Sequence, residues 1–147
     1  MVNLDPTEPV GPDAPGLIDA LVQSSFMTMA VLNKVGTDHD LSLTQLRVLA
    51  ILRDRRLRMT VLADYLGLDK STMTGLVDRA EKRGLLRRVA NDTDRRAVDV
   101  QLTPAGGELA GLLSGQVARS LGPITGSLTT SEQRRLQVLL TRLIANR

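Results

Sequence analysis

The chain of 147 residues has the length of a single domain and carries a formal net charge of +3, with no cysteine, one histidine, one tyrosine, one phenylalanine and no tryptophan. The lack of cysteine excludes disulfides, thiolate metal sites and regulation by thiol oxidation, and one histidine argues against a zinc site built from several histidines. No apolar run approaches the roughly 18 residues of a membrane span, and the acidic N-terminus is unlike a signal peptide, so we expect a cytoplasmic protein.

The N-terminal part of the chain is predicted to be a tail followed by helices. Residues 1–12 contain three prolines and few apolar side chains, which predicts a flexible tail. Apolar residues recur at helical spacing from about Asp13 to Val35, where we predict a long helix, and Gly36–Asp40 forms a loop. A second helix is predicted over about Leu43–Arg55, with a short strand at Leu57–Met59.

The middle of the chain is predicted to form two short helices and a charged β-hairpin. The first helix covers Thr60–Leu66, and Gly67–Asp69 turns the chain into a second helix over Lys70–Arg83. Two β-like runs follow, Leu85–Val89 and Ala97–Leu102. A helix-turn-helix with a hairpin attached is suited to hold one helix in the major groove of DNA and an arginine near the minor groove.

The C-terminal part is predicted to form two further helices. Pro104 lies in the first turn of the next helix, and the Gly122-Pro123 pair is expected to break it. The last helix follows Thr129, which has the spacing of a capping box with Glu132.

The helices predicted toward the two ends of the chain are too apolar to be solvated tails. A winged lobe over residues 41–103 offers them no large surface to cover, whereas counterparts in a second chain do. We therefore predict that residues 13–40 and 104–147 are the dimerisation helices of a homodimer. The alternative is a monomer whose termini pack on each other. A two-fold dimer predicts a palindromic DNA site with half-sites about one helical turn apart.

The helix over Lys70–Arg83 is predicted to be the DNA-recognition helix, with Asp69 as its N-cap. One face is an apolar stripe that packs inward. The opposite face carries the predicted DNA contacts, which are Ser71, Thr72, Thr74, Gly75, Arg79 and Lys82. Its short side chains let the helix N-terminus approach base edges and phosphates. The alternative is an ordinary amphipathic helix with a solvated face.

The hairpin loop is predicted to be a second DNA contact, through Arg95 and Arg96. Arginine suits a narrow groove of high negative potential because it is weakly hydrated and always charged. The neighbouring carboxylate of Asp94 is expected to hold one guanidinium extended. The alternative is a solvated, charged hairpin tip. The helix-turn-helix predicted beside the hairpin favours the DNA contact over this alternative.

Positive charge is concentrated in the segment predicted to bind DNA. Residues 41–103 hold 13 Lys or Arg against 8 Asp or Glu, and the rest of the chain holds 6 against 8. Phosphate binding requires this kind of asymmetry.

Several segments resemble the MarR family of bacterial transcription regulators. The helix-turn-helix of the family is matched by Ala63–Arg79, and the match continues through Glu81–Arg88. Asp94–Ala97, followed by Leu102–Gly106, resembles the wing signature of the family, Asp-x-Arg leading to Leu-Thr-x-x-Gly. Leu43–Leu49 resembles its second helix. The resemblance covers most of the chain from about residue 15 onward.

The resemblance implies a mainly α fold with a small β-wing, in which two winged helix-turn-helix lobes sit on a helical dimerisation domain made from both chain ends. It also implies base contacts at Thr74 and the residue after it, and a minor-groove contact by Arg96 that Asp94 braces. Gly75 stands where many members carry a longer side chain. Readout is therefore expected to rely more on Thr74, Arg79 and groove shape.

The predicted function is a sequence-specific transcription regulator, a repressor that a small-molecule ligand relieves. The resemblance implies an anionic aromatic ligand bound between the dimerisation and DNA-binding lobes. Arg47, Arg88 and His39 are candidates for its polar contact, and the sequence does not choose among them. The alternative function is a winged-helix interaction module, or a protein that coats DNA without strong sequence choice.

An enzyme is not expected, and neither a metal nor a cofactor is predicted. The only tempting acid–base cluster is Asp38–Asp40, but adjacent loop residues need not point together. Without a positioned nucleophile or ligand set there is no reaction class to name.

Overall fold

A computed structural model describes residues 14–146, so the tail predicted over residues 1–12 lies outside the described residues. Within residues 14–146 the chain forms six helices and three strands. They are α1 (Ala14–Thr37), α2 (Leu43–Ile51), β1 (Leu57–Arg58), α3 (Met59–Leu66), α4 (Lys70–Lys82), β2 (Leu86–Ala90), β3 (Val98–Leu102), α5 (Pro104–Thr125) and α6 (Thr130–Ala145). The prediction of a mainly α fold with a small β-wing is confirmed. None of these helices is both long and apolar enough to cross a membrane.

The described residues divide into two compact units. Residues 32–118, the winged lobe, hold α2, α3, α4, the three strands and adjoining parts of α1 and α5. Residues 14–31 and 119–146, the terminal unit, hold the rest of α1 and α5 and all of α6. The functional division predicted at residues 41 and 103 stays a prediction, because compactness does not report on binding.

The winged lobe is built around an apolar core. α4 buries the stripe that the sequence predicted, Met73, Leu76, Val77 and Ala80. The side chains of Leu62, Met73, Val77 and Val100 have no solvent-accessible surface at all. Full burial of a side chain of this size contributes about 1.5–3 kcal/mol, so the core fixes the rotation of α4 and turns its opposite face to solvent.

The three strands form an antiparallel sheet in the order β1-β3-β2. β2 and β3 are the two arms of the wing, in a register that pairs Leu86 with Leu102 and Ala90 with Val98. The short β1 adds to the other side of β3, pairing Arg58 with Asp99. The wing loop, residues 91–97, lies at the far end of the β2–β3 hairpin.

A close junction joins the wing to α5 and explains the spacing of the Leu-Thr-x-x-Gly motif. The hydroxyl of Thr103 donates to the carbonyl of Gly84 and accepts from the backbone N–H of Gly106. A Cβ at Gly106 would lie 2.0 Å from the carbonyl oxygen of Leu85, so only glycine fits. Two residues of the motif thus hold the start of α5 against the end of α4.

The terminal unit has helices without a buried core. The capping box predicted for α6 is confirmed, since the hydroxyl of Thr129 accepts from the backbone N–H of Glu132 and the Glu132 carboxylate accepts from the backbone N–H of Thr129 at 2.8 Å. No residue among 16–31 or 119–146 is buried in the single chain. The α6 side chains that recur at helical spacing are all exposed: Leu136, Leu139, Leu140, Leu143 and Ile144.

The expected break at Gly122-Pro123 is wrong, because α5 continues through Pro123 to Thr125. Proline has a helix-compatible φ, and what it removes is one N–H donor. The helix ends soon after the proline, where the carbonyl of Gly122 accepts from the Thr125 hydroxyl at 3.2 Å and from the backbone N–H of Gly126 at 2.7 Å.

Candidate nucleic-acid interface

The outward face of α4 begins at a well-formed cap. The carboxylate of Asp69 accepts from the backbone N–H of Thr72 at 2.7 Å, as the sequence predicted. Hydrogen bonds from the backbone and the side chain of Thr72 favour the charged form and hold the pKa of Asp69 below its ordinary value. The negative cap leaves the exposed start of the helix ordered.

All the predicted contacts on α4 lie on its outward face. Ser71, Thr72, Arg79 and Lys82 are exposed, and Thr74 and Gly75 are half-buried. Two short residues in the first turn therefore give way to two long cations in the last turns. This arrangement lets the helix approach a groove end-on while the cations reach its sides.

The wing loop is ordered by one asparagine. The side-chain oxygen of Asn91 accepts from the backbone N–H groups of Thr93 and Asp94, at 3.1 and 2.9 Å, and from the hydroxyl of Thr93. Such a turn mimics a backbone turn and tightens the loop. Sequence reasoning did not single out Asn91, although asparagine at the start of a hairpin loop is a known turn signal.

The base of the wing is fixed by a buried acid. Asp99 is 5% exposed, and its carboxylate accepts from the amide of Asn91 at 2.9 Å and lies 3.3 Å from Nε of Arg56. Arg56 also pairs with Asp92 in the loop. A buried carboxylate needs such partners to offset its lost hydration. Arg56 and Asp99 were not predicted, and no local sequence signal links residues so far apart.

Asp94 acts differently from the expectation that it holds a wing guanidinium. Its carboxylate accepts from the backbone N–H of Arg96 at 3.0 Å, and its charge partner is Arg58 of β1, at 3.9 Å. The acid thus fixes the backbone of the loop and leaves the side chains of Arg95 and Arg96 exposed. The local backbone bond is available because its donor is only two residues away.

A cleft of about 690 Å³ lies between α3, the start of α4 and the wing. Its charged lining consists of the cations Arg58, Lys70 and Arg96 and the acids Asp64, Asp69 and Asp94, and the hydroxyl of Thr74 also faces it. The three acids balance the three cations, and Arg58 is already paired with Asp94, so the cleft as a whole carries no excess positive charge. The structure thus brings Thr74, Asp94 and Arg96 together. The other predicted contacts, Ser71, Thr72, Gly75, Arg79, Lys82 and Arg95, lie outside this cleft.

The side chain of Arg88, in β2, connects the wing to α4 through two ion pairs. Its guanidinium lies 2.6 Å from Asp78 and 3.0 Å from Glu81, and its backbone N–H donates to Glu81. Partial burial acts to lower the pKa of Arg88, but the hydrogen bond to Asp78 and the charges of Glu81 and Asp78 outweigh it and raise the pKa. The ligand contact predicted for Arg88 stays a prediction, and the structure shows its guanidinium engaged by these two acids.

The other two predicted ligand contacts are also engaged, and the structure does not bring them into one pocket. Nε2 of His39 is 2.9 Å from the amide oxygen of Gln116, and the guanidinium of Arg47 lies 6.0 Å from the centre of the Tyr65 ring. A cavity of about 210 Å³ between α2 and α5 contains neither residue. Its cation is Arg53, which donates to the hydroxyl of Ser114 at 2.8 Å.

Arg53 is a residue that sequence reasoning missed. The same cavity is lined by Leu46, Leu49 and Ala50, which precede Arg53 by seven, four and three residues. That spacing places all of them on one side of a helix and its continuation, so the periodicity of the predicted second helix contained the signal.

Comparisons with known proteins agree with this geometry. The MarR family model matches residues 39–97. The chain is 30% identical over 131 residues to the HTH-type transcriptional regulator PecS of Dickeya dadantii, covering 86% of this chain and 79% of PecS. The solved structure of NadR in complex with 4-hydroxyphenylacetate is 25% identical, with a TM-score of 0.73 over 84% of this chain and 89% of NadR.

A further solved structure shares the fold at lower identity. AbsC, a MarR family transcriptional regulator from Streptomyces coelicolor, is 20% identical, with a TM-score of 0.76 over 95% of this chain and 97% of AbsC. Because the similarity to PecS extends over most of both chains, and because the helix-turn-helix and wing are those the motifs predicted, the chain belongs to the MarR family of winged-helix, DNA-binding transcription regulators.

Proposed function

We propose that this regulator is a repressor that binds a palindromic operator as a homodimer in the cytoplasm, and that a small aromatic or anionic effector relieves the repression. Each chain presents α4 to the major groove and its wing to the adjacent minor groove. The proposal includes no catalytic step, metal or cofactor.

One observation carries the DNA-binding part of this proposal, namely a division among the basic residues of the winged lobe. Arg56, Arg58 and Arg88 pair with acids that hold the wing in place. Four basic residues, on the outward face of α4 and in the wing loop, make no ion pair among the described residues. They are Arg79, Lys82, Arg95 and Arg96. Cations that are left unpaired while their neighbours are neutralised are available to phosphates and bases.

The dimer part of the proposal is supported by the terminal unit. The apolar stripe on α6 has side chains that are 41–62% exposed in the single chain. α1 adds a second exposed apolar set, which includes Leu17, Ile18 and Phe26. An exposed apolar face on this scale marks a protein interface, and a second copy of the chain supplies a matching face by two-fold symmetry.

The effector part is supported by the cavity between α2 and α5. Its walls are mostly leucine, alanine and valine, with the guanidinium of Arg53 at one polar point. An apolar pocket with one cation suits a small aromatic acid. NadR, whose structure was solved with 4-hydroxyphenylacetate, binds a ligand of this class. We propose Arg53 as the contact for the carboxylate in place of Arg47, Arg88 and His39.

A gel-shift titration tests the proposal. The protein is titrated against duplex DNA from upstream of its own gene, with excess unrelated competitor, between 50 and 200 mM salt. If each lobe neutralises three to five phosphates, affinity falls by about 10³ to 10⁵ over that range while the preference for the upstream duplex persists. Equal affinity for every duplex would favour the alternative, a protein that coats DNA without sequence choice.

The same assay tests the effector. Small aromatic acids, beginning with 4-hydroxyphenylacetate, are added to the preformed complex with wild type and with Arg53→Ala. We expect dissociation of the wild-type complex at acid concentrations that leave the Arg53→Ala complex intact. A coupling of about 1–3 kcal/mol between the two ligands is enough, and the DNA must weaken the acid by the same factor. An Arg53→Ala complex that dissociates as wild type does would remove Arg53 from the site.

A further inference from the structure

The recognition helix contains a glycine in its interior, a position at which glycine normally destabilises a helix. Gly75 lies in the interior of α4, on its outward face, and glycine in a helix interior is less stable than alanine. No close backbone approach requires it. Apart from its chain neighbours and the backbone of its own helix, the one described atom within 4 Å of an added Cβ is Nη1 of Arg79, at 3.3 Å. The space that a side chain would fill at position 75 is thus bordered by the guanidinium of Arg79.

The guanidinium of Arg79 has therefore folded back along its own helix. Residues 75 and 79 are one turn apart on the same face, so the charged group lies about one turn nearer the N-terminus than its own Cα. That is the half of a recognition helix whose side chains reach base edges.

The charge of Arg79 is left unpaired by its neighbours. The carboxylate next to it in sequence, Asp78, is held by Arg88 at 2.6 Å, and Glu81 is held by Arg88 at 3.0 Å. Within the part of the chain that the structure describes, Arg79 makes no ion pair of its own. Its planar set of donors is therefore available to an acceptor pair outside the protein.

We propose that Gly75 and Arg79 form one base-reading unit, in which Arg79 lies over Gly75 and donates two hydrogen bonds to N7 and O6 of a guanine in each half-site. Adjacent acceptors on guanine match the arginine fork better than any other base edge in the major groove. Gly75 is the positioning residue, since its missing side chain leaves the space that the guanidinium uses. This inference rests on the proposed function and names the base that its recognition helix selects.

The test is a selection of bound sequences from a randomised duplex pool, performed in parallel on wild type and four full-length variants. Wild type should select guanine at one fixed position of each half-site. Arg79→Ala should lose that preference, by about 5- to 150-fold against the other bases, while the remaining positions of the site keep theirs. Arg79→Lys should keep part of it, because an ammonium donates without the planar fork. Lys82→Ala is the matched control and should weaken all sequences alike.

Gly75→Ala separates positioning from stability. The added methyl group removes the glycine penalty, so Tm should rise by about 2–4 °C. It also pushes the guanidinium away by a few tenths of an ångström, so the guanine preference should fall although the protein is more stable. A structural role for Gly75 would instead lower Tm and leave the selected sequence unchanged.

The outcomes that overturn the inference differ from those that overturn the function. If Arg79→Ala weakens every sequence equally, Arg79 contacts phosphate and the base assignment is wrong. If Gly75→Ala keeps the full guanine preference, Gly75 does not position the arginine. If wild type selects no sequence at any position, the sequence-specific regulator itself is wrong, and this inference falls with it.

Discussion

The winged lobe and the terminal unit differ in where their apolar side chains go. In the lobe, Leu62, Met73 and Val100 are fully enclosed, and the one buried acid is paired. In the terminal unit, no residue among 16–31 or 119–146 is buried, although α6 has a regular apolar stripe. The same kind of helical pattern thus ends in a finished core in one region and in an open face in the other. The difference teaches that the lobe has a complete core within one chain, whereas the terminal unit has an open apolar face, which supports the proposed dimer.

The largest effect is expected from a charge placed on the open face. Leu140→Asp puts a carboxylate into an apolar helix interface, where burying it unpaired is very costly, and we expect complete loss of the dimer. Val138→Asp is the matched control, because Val138 is also exposed but lies on the other side of α6. Sedimentation at equal protein concentration checks both. A dimer that survives Leu140→Asp would move the interface away from this stripe.

A second prediction contrasts the two regions by their response to protein concentration. Leu62→Ala empties part of the lobe core and should cost about 2–5 kcal/mol of unfolding free energy in the chain itself. Leu143→Ala on α6 should destabilise through the dimer, so its loss of Tm should grow as the protein is diluted. Thermal melts over a hundredfold range of concentration measure both. A concentration-independent loss for Leu143→Ala would argue for a core within one chain.

The third prediction concerns the unpaired cations of the lobe. Arg96→Ala should weaken operator binding by about 10- to 100-fold and reduce the slope of log affinity against log salt by about one. Arg119→Ala removes the same charge from the terminal unit and should change neither quantity. Titration at several salt concentrations distinguishes them. If the two variants behave alike, net charge and not the wing determines binding.

The smallest effect is expected at the helix caps. The pKa of Asp69 is lowered from its ordinary value of 3.8, and that of Glu132 from 4.5, in each case chiefly by a hydrogen bond from the backbone, at Thr72 and Thr129 respectively. A lowered carboxyl pKa means that the stabilisation is fully present above the ordinary pKa and is lost as pH falls through the lower folded value. Asp69→Ala and Glu132→Ala should therefore lower Tm at pH 7.

The pH dependence of that difference is the sharper readout. The gap in Tm between wild type and each variant should close as pH falls below the ordinary values of 3.8 and 4.5 and through the lower folded pKa of each carboxylate, where the wild-type carboxylates also become protonated. A gap that stays constant down to a pH at which both carboxylates are protonated in the folded protein would show that the charged cap is not its source.

The parts of the fold that sequence predicted well are those set by nearby residues. The apolar stripe of α4 and the capping residues Asp69 and Thr129 act within a few positions, and the helices they define begin where expected. α2 ends earlier than predicted, at Ile51, because the chain turns there and buries Leu52 in the core. That competition between a helical pattern and tertiary packing is not visible in the local sequence.

The sequence predicted the residues of the candidate site better than the ion pairs that position them. The exposed residues of α4 and the wing arginines followed from motif and periodicity. The pairs that position them, Arg56 with Asp99 and Arg88 with Asp78, join segments that only the folded sheet brings together. The sequence therefore identified Arg88 as a basic residue, but it could not show that Arg88 forms ion pairs with Asp78 and Glu81 of α4.

The most direct test of the account is the number of chains bound to one operator. Sedimentation of protein–DNA complexes on the selected palindrome and on a single half-site gives this number for wild type and for Leu140→Asp. We expect two wild-type chains to bind the palindrome in one cooperative step, and single Leu140→Asp chains to bind the palindrome and the half-site with the same weak affinity. Tight binding of one wild-type chain to the palindrome, or unchanged cooperative binding by Leu140→Asp, would contradict the account.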